Sequence, residues 1–125
     1  MSSTNDASVV LRLQVGGTAA LLTGDLGKEG EGALLAGMED FRSRILKVGH
    51  HGASTSTGEE FLDRVRPEIA VIQVGKWNSY RHPHPGTLER LRQRGINTFR
   101  TDQNGAVMVR FCKGQYRTVT MASPE

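Results

Sequence analysis

The sequence predicts an α/β domain in which helices pack on a mixed β-sheet. Three observations predict this class: short apolar or alternating segments, helical patterns between them, and glycine or proline at their borders. In chain order these segments read ββαβαβαβββ, and strands that alternate with helices in this way are typical of one mixed sheet. A chain of 125 residues is long enough for a single domain with its own core.

The first two predicted strands form a hairpin. Apolar residues at every second position from 9 to 15 have the period of a strand with one face in a core. These apolar residues are Val9, Leu11, Leu13 and Val15. Gly16-Gly17 supplies a two-residue turn, and 19–23 returns as the second strand. Residues 1–7 are small and polar, which predicts a disordered or artificial start before a domain that spans 8–125.

Three helices and five strands are predicted after the hairpin. The helices are expected at 29–38, from a capping box at Thr57 to before Pro67, and from Pro85 to a cap at Gly95. The strands are expected at 45–48, 69–74, 97–100, 107–111 and through Val119, with turns at 102–105 and at Lys113-Gly114. The strand at 69–74 is almost wholly apolar, which indicates burial on both faces.

Composition excludes several kinds of protein. No apolar run approaches the roughly 20 residues that cross a bilayer, and the first residues lack the pattern of a signal peptide, so we expect a soluble chain. The single cysteine, Cys112, excludes an internal disulfide and a cysteine-rich zinc site, and we expect it to pack as a small apolar side chain. A net charge of +3 would favour a polyanionic partner, although a modest basic excess is common on solvated surfaces.

Side chains suited to metal or phosphate chemistry follow three successive predicted strands. Asp25 follows the hairpin, His50 and His51 follow the next strand, and His82 and His84 follow the strand at 69–74. Strand ends are where α/β folds place their sites. One carboxylate with imidazoles from two other strands is a ligand set that suits zinc or manganese.

Each of these residues also has a purely structural interpretation. Asp25 could cap the helix that follows it, the pair His50-His51 could be turn residues, and His82 and His84 could belong to a rigid loop around Pro83. Three independent accidents at successive strand ends are less expected than one shared site. The joint pattern therefore favours the functional interpretation.

Four sequence blocks carry a resemblance to a known family. They are Leu21-Leu22-Thr23-Gly24-Asp25, the run from Leu46 to Ser54 around Gly49-His50-His51-Gly52, Val74-Gly75 with Asn78, Tyr80 and His82-Pro83, and Arg100-Thr101-Asp102 with Gly105. In this order and spacing they resemble the closing blocks of the metallo-β-lactamase fold, an αββα sandwich. In detail they are similar to the domain at the C-terminal end of the ComEC-type competence channel family.

The resemblance implies a dinuclear metal site and an assignment of roles. Asp25 matches the acidic ligand that bridges two divalent ions, zinc or manganese, and His82 matches the last histidine ligand. His50 and His51 match a catalytic pair beside the metals, where one binds the phosphate or protonates the leaving oxygen. The reverse assignment, with a member of this pair as the ligand and His82 as the helper, stays open.

Four further residues are candidates for binding the substrate: Ser54, Asn78, Tyr80 and His84. The first three would donate hydrogen bonds to a phosphate or form hydrogen bonds with a metal-ligating side chain. The activity that the resemblance implies is hydrolysis of a single DNA strand. Its setting would be a DNA-uptake channel of the bacterial inner membrane, with this domain on the outer side.

The chain departs from the family in one large respect. The earlier histidine-rich block that supplies most of the metal ligands is not in this sequence, so the chain corresponds to the C-terminal half of the domain. We therefore expect it to bind metal weakly or not at all, to be inactive alone, and to need the other half of the domain and the membrane channel as partners. Half a sandwich leaves apolar sheet surface without a cover, which predicts a homo-oligomer.

Two rival functions stay open at this point. One is a phosphodiesterase or esterase of the same fold that acts on a small substrate such as a phosphocholine-like group. The other is a binding or assembly module that has kept the fold without the chemistry. A histidine-rich block upstream of Met1 in the gene would favour an enzyme over a module.

Overall fold

The computed structural model describes residues 8–37 and 40–122 and confirms the α/β class. The predicted disordered or artificial start at 1–7 lies outside the described residues. The strands are β1 (Leu11–Val15), β2 (Thr18–Leu22), β3 (Ile45–Lys47), β4 (Ile69–Ile72), β5 (Asn97–Arg100), β6 (Val107–Cys112) and β7 (Gln115–Thr120). The helices are α1 (Lys28–Gly37), α2 (Glu59–Val65), α3 (Pro85–Gln93) and α4 (Thr101–Asn104), with a 3₁₀ turn at Gly49–Gly52.

The main sheet has five strands in the order β1-β2-β3-β4-β5. The first pair is the predicted antiparallel hairpin, and the other three pairs are parallel. Because β2, β3 and β4 run in the same direction, their carboxyl ends lie along one edge of the sheet. That edge is where the chain places Asp25 and both histidine groups.

The two faces of the main sheet are covered by different layers. On one face, Leu46 and Ile72 of the sheet join Phe61 of α2 and Leu91 of α3 in a buried apolar core. On the other face, Phe111 and other apolar residues of β6 and β7 pack against a smaller cluster formed by the main sheet. The prediction of a single sheet is corrected here, because β6 and β7 pair with each other in a separate two-stranded sheet that lies on the face of the first.

The prediction that the apolar face of β1 lies in a core is wrong. Leu11 and Leu13 are each 51% exposed and Val15 is 49% exposed, whereas Val10 packs against the main core. Period-two alternation separates the two faces of a strand but does not say which of them is covered. In this structure the face with Leu11, Leu13 and Val15 is open, so β1 presents a row of apolar side chains to the surface.

A polar cluster ties the β6–β7 hairpin to the main sheet. The Arg44 guanidinium bonds both carboxylate oxygens of Glu68, at 2.7 and 3.2 Å, and lies 4.9 Å from the centre of the Tyr116 ring. The Tyr116 hydroxyl donates to the same carboxylate at 2.9 Å. The hydrogen bond from Arg44 lowers the pKa of Glu68, and the same pair raises the pKa of Arg44. Arg44 also donates to the Gly114 carbonyl in the hairpin turn, at 3.1 Å.

A carboxylate from another helix supplies the N-terminal cap of α2. The predicted capping box at Thr57 does not form, because the helix begins one residue later, after Gly58. Instead, the Glu31 carboxylate of α1 accepts hydrogen bonds from the backbone amides of Thr57 and Gly58, the latter at 2.9 Å. Glu31 is only 3% exposed, and this burial raises the pKa of its carboxyl group. α1 and α2 are thus linked through the one carboxylate.

Replacing Glu31 with alanine is expected to lower the free energy of unfolding by about 1–3 kcal/mol, because one buried and one partly buried amide would lose their acceptor. Urea denaturation measures the change. The control is Glu29→Ala, an exposed position on the same helix, where a surface substitution should stay within about 0.5 kcal/mol. Equal losses for the two variants would contradict the capping role.

Three local predictions differ from the structure. The turn expected at 102–105 is the short helix α4. The strand expected at 69–74 ends at Ile72, and Val74 bonds the Thr101 hydroxyl through both its amide and its carbonyl. Cys112 is exposed at the end of β6 rather than packed.

Within 8–37 and 40–122, no helix combines the length and the apolar character needed to span a bilayer.

Candidate functional site

The edge formed by the ends of β2, β3 and β4 brings the predicted site residues together. The hydroxyl of Thr23 donates to the Lys47 carbonyl at 3.0 Å, and the amide of His50 donates to the Gly24 carbonyl at 2.9 Å. These two bonds join the segment after β2 to the segment after β3. Asp25 is therefore held beside the two histidines that follow β3.

The turn that carries His50 and His51 has an unusual backbone. Both residues have positive φ, 51° and 54°, in the left-handed region that side-chain-bearing residues rarely adopt. Such residues cost about 1–3 kcal/mol each and cluster at functional sites. Gly49 permits the turn, because a Cβ at this position would lie 3.0 Å from the Leu26 carbonyl oxygen.

His51 faces the Asp25 carboxylate. Its Nε2 lies 3.5 Å from Asp25 Oδ1, and both side chains are about half exposed. The other ring nitrogen, Nδ1, is 2.7 Å from the backbone carbonyl of Gln73, which accepts a hydrogen bond from it. A proton fixed on Nδ1 directs the second nitrogen of the ring toward the carboxylate.

His50, His82 and Tyr80 form a row of ring contacts beside this pair. The rings of His50 and His82 are 5.6 Å apart in an edge-on arrangement, and the His82 and Tyr80 rings are stacked at 5.6 Å. Burial, followed by the charges of His50 and His51, lowers the pKa of His82. This shift favours the neutral imidazole, the form that can accept a proton or bind a cation.

Gly52 joins the two histidine groups. A Cβ at Gly52 would lie 2.6 Å from the Pro83 side chain, so only glycine allows this contact, and the residue also has a positive φ of 82°. The Gly52 carbonyl accepts a hydrogen bond from the amide of His84 at 2.9 Å. These contacts hold the segment that carries His82 against the turn that carries His50.

The other predicted residues have structural contacts of their own. The Asn78 side chain bonds the carbonyls of Gly75 and His82 and the amide of His82, each at 2.8–2.9 Å, so it organises its own loop. The Nδ1 of His84 accepts from the Gly86 amide and caps α3. Ser54 is exposed. Substrate binding by these three residues stays a prediction.

Two contributors to the site were not predicted. The Gln73 carbonyl orients His51, and Lys47 is a half-buried cation close to Asp25. Burial lowers the pKa of the Lys47 ammonium group, and the Asp25 carboxylate opposes that shift. Lys47 ends β3, so its position in the sequence could have indicated it. The role of a backbone carbonyl leaves no signal in the sequence.

The Asp25–His51 pair fits a divalent metal ion. Two ligands at about 2.0–2.2 Å from a tetrahedral zinc ion lie about 3.4 Å apart, and the two atoms are separated by 3.5 Å. A ligating histidine commonly donates its second ring N–H to a carbonyl, as His51 does to Gln73. Among the described residues, however, no group of three or more histidine, cysteine, aspartate or glutamate side chains could hold a metal ion.

Comparison with curated proteins finds relatives that are named for the ComE operon, for competence and for recombination. The chain is 42% identical over 123 residues to ComE operon protein 3 of Bacillus subtilis. It is 41% identical over 111 residues to competence protein ComA of Neisseria gonorrhoeae, and 38% identical over 109 residues to recombination protein 2 of Haemophilus influenzae. These alignments cover 98%, 88% and 86% of this chain.

The chain spans only 16%, 16% and 13% of the lengths of these three relatives. The homology thus concerns one segment of much longer proteins. No protein-family model matches the chain.

Proposed function

We propose that this chain, as a homologue of competence proteins, forms part of a metal-dependent phosphodiesterase that hydrolyses DNA within a longer competence protein. The observation that carries the proposal is the approach of His51 to Asp25 at the carboxyl edge of three parallel strands, beside the rings of His50 and His82. In this proposal the fold is the C-terminal half of a metallo-β-lactamase sandwich. The longer protein would lie in the bacterial inner membrane, with this segment on the outer side.

The geometry favours the assignment in which His51, together with Asp25, holds a metal ion. Their facing atoms, and the hydrogen bond that orients His51, support this assignment. Zinc or manganese at this position would polarise a phosphate and stabilise its added negative charge. A second ion, as the family resemblance implies, and the remaining ligands would depend on residues outside this chain.

His82 and His50 would transfer the proton that the leaving group takes up. Burial lowers the pKa of His82, which favours its neutral imidazole and makes this ring an acceptor for a proton. Because the His50 ring lies 5.6 Å from it, a phosphate between these rings and Asp25 would meet both imidazoles. The neutral ring would first accept a proton from the water that attacks the phosphorus, and would then give it to the departing oxygen as the ester bond breaks.

DNA is proposed as the substrate rather than a small phosphodiester. A net charge of +3 attracts a polyanion, and two of the homologues are named for competence and recombination. A binding module without chemistry is the second candidate, since Asn78 and His84 have structural contacts and no three-donor group exists among the residues described. The two candidates differ in whether cleavage depends on metal.

Metal dependence is the direct test of the proposed activity. The complete gene product should cleave a single-stranded oligonucleotide when Mn²⁺ or Zn²⁺ is present and should stop when EDTA is added, while this 125-residue chain alone should be inactive. Separation of end-labelled products on a denaturing gel measures cleavage. Strand binding without cleavage under every metal condition would favour the binding module.

The apolar face of β1 predicts how the isolated chain behaves. Leu11, Leu13 and Val15 are about half exposed on one face of the edge strand of the main sheet. Contiguous apolar surface of this kind favours association. We expect the chain alone to form a dimer or higher oligomer, measured by light scattering at micromolar concentration. Leu13→Glu should shift it toward monomer, and a wild-type chain that is strictly monomeric would contradict the prediction.

A further inference from the structure

The loop between β4 and α3 combines aromatic and basic side chains without any acidic residue. From Ile69 to Leu88 the sequence contains no aspartate or glutamate, while it contains Lys76 and Arg81. The same loop holds Trp77, the only tryptophan of the chain. A cationic loop with interspersed aromatic rings has the composition of surfaces that hold single-stranded nucleic acid.

Two rings of this loop are exposed to an extent that packing does not explain. Trp77 is 91% exposed and Tyr80 is 78% exposed, whereas large aromatic side chains are usually buried to a high degree. Lys76 Nζ lies 5.9 Å from the centre of the Trp77 ring, so a positive charge accompanies the exposed indole. A ring beside a cation can stack on a base while the cation meets the adjoining phosphate.

The loop is held in one shape before any ligand arrives. Asn78 accepts a hydrogen bond from the His82 amide and donates to the His82 and Gly75 carbonyls, and the amide of Arg81 donates to the Asn78 carbonyl at 3.4 Å. These contacts close the loop on itself. An aromatic ring on a pre-formed loop loses little conformational entropy when it stacks on a base.

The loop leads directly into the candidate site. The Tyr80 ring is stacked on His82 with an interplanar angle of 16°, and His82 in turn contacts His50. A DNA strand held at Tyr80 would therefore have its backbone close to these histidines. The loop thus lies where a DNA strand would pass on its way to Asp25.

From these observations we infer that Trp77 and Tyr80 are stacking platforms for the unpaired bases of a DNA strand, with Lys76 and Arg81 contacting its phosphates. This inference rests on the proposed function, because it takes DNA as the substrate and names the residues that bind it. Stacking on a base requires an unpaired strand, so the loop selects single-stranded over double-stranded DNA. Trp77 and Tyr80 act here through their rings and are binding residues, distinct from the metal and proton chemistry at Asp25 and the histidines.

Binding can be measured on the 125-residue chain in EDTA, where no metal chemistry takes place. Because Trp77 is the only tryptophan, its fluorescence reports this loop directly. We expect a dT15 oligonucleotide to quench Trp77 emission and a 15-base-pair duplex to quench it far less. Anisotropy of labelled dT15 should give a Kd about 5- to 150-fold weaker for Trp77→Ala, the range that corresponds to loss of one base–aromatic contact.

Matched variants separate stacking from charge. Trp77→Phe keeps an aromatic ring and should bind nearly as well as the wild type, and Lys76→Gln should lower the salt dependence of binding. The charge control is Lys113→Gln, in the β6–β7 turn, which should not change the Kd. Circular dichroism and thermal unfolding check that each variant is folded.

The outcomes also separate this inference from the proposed function. Equal affinity of folded Trp77→Ala and wild type, or equal quenching by duplex and single strand, would overturn the stacking role even if the complete gene product cleaves DNA. Strand binding that needs Trp77, in a protein whose complete form has no metal-dependent activity, would support the inference and reject the hydrolase.

Discussion

Replacing Asp25 with asparagine in the complete gene product is expected to reduce metal-dependent cleavage of single-stranded DNA more than about 100-fold. Replacing a residue that only orients a metal ligand typically lowers affinity or activity about 10- to 100-fold, and replacing a ligand should lower it more. Asparagine keeps the size of the side chain but removes the negative charge that faces His51 at 3.5 Å. Initial rates at saturating Mn²⁺ measure the loss.

The matched control for Asp25 is Asp63→Asn. Asp63 is an exposed residue of α2 that pairs with Arg94, so its loss removes a carboxylate of the same kind from the helical surface. Its activity should stay within about twofold of the wild type, because exposed ion pairs contribute about 0–1 kcal/mol. Activity that survives Asp25→Asn, with Mn²⁺ still required, would remove Asp25 from the centre of the mechanism.

Replacing Gly52 with alanine is the second change with a large expected effect. Its Cβ would lie 2.6 Å from the Pro83 side chain, in a backbone conformation with φ of 82°. Overpacking typically costs about 1–3 kcal/mol, and a left-handed backbone costs a side-chain-bearing residue a further 1–2 kcal/mol or so. Because Gly52 holds the turn of His50 against the loop of His82, activity should fall together with stability.

Gly75→Ala is the control for this steric argument. Gly75 lies at the start of the same loop, but a Cβ there would meet nothing within 4 Å. Urea unfolding and cleavage rate, measured for both variants, should therefore separate them clearly. If Gly52→Ala is as stable and as active as Gly75→Ala, the close approach to Pro83 does not organise the site.

Much of the fold could be predicted because its signals are local. The apolar run in β4, the double glycine between β1 and β2, and Pro85 at the start of α3 each act through short-range physics. The separate β6–β7 sheet could not be predicted, since it depends on contacts such as Tyr116 with Glu68, 48 positions apart in sequence. The exposed face of β1 was missed for the same reason, because alternation does not identify the covered side.

The candidate site was partly predictable for a topological reason. Parallel strands bring their carboxyl ends to one edge, so Asp25 and the histidines after β3 and β4 were expected to converge, and the structure brings His51 to 3.5 Å from Asp25. Which histidine faces the carboxylate depends on the left-handed turn and on the Gln73 carbonyl. The role of Trp77 depends on side-chain exposure, which a loop sequence does not specify.

In the proposed function, Asp25 and His51 hold one metal ion at the edge of the sheet. Anomalous diffraction at the zinc edge, on crystals of the complete domain grown with Zn²⁺, would locate this ion. We predict a peak about 2.0–2.2 Å from both Asp25 Oδ1 and His51 Nε2. Zinc bound elsewhere in a well-ordered site, with the Asp25 carboxylate uncoordinated, would contradict it.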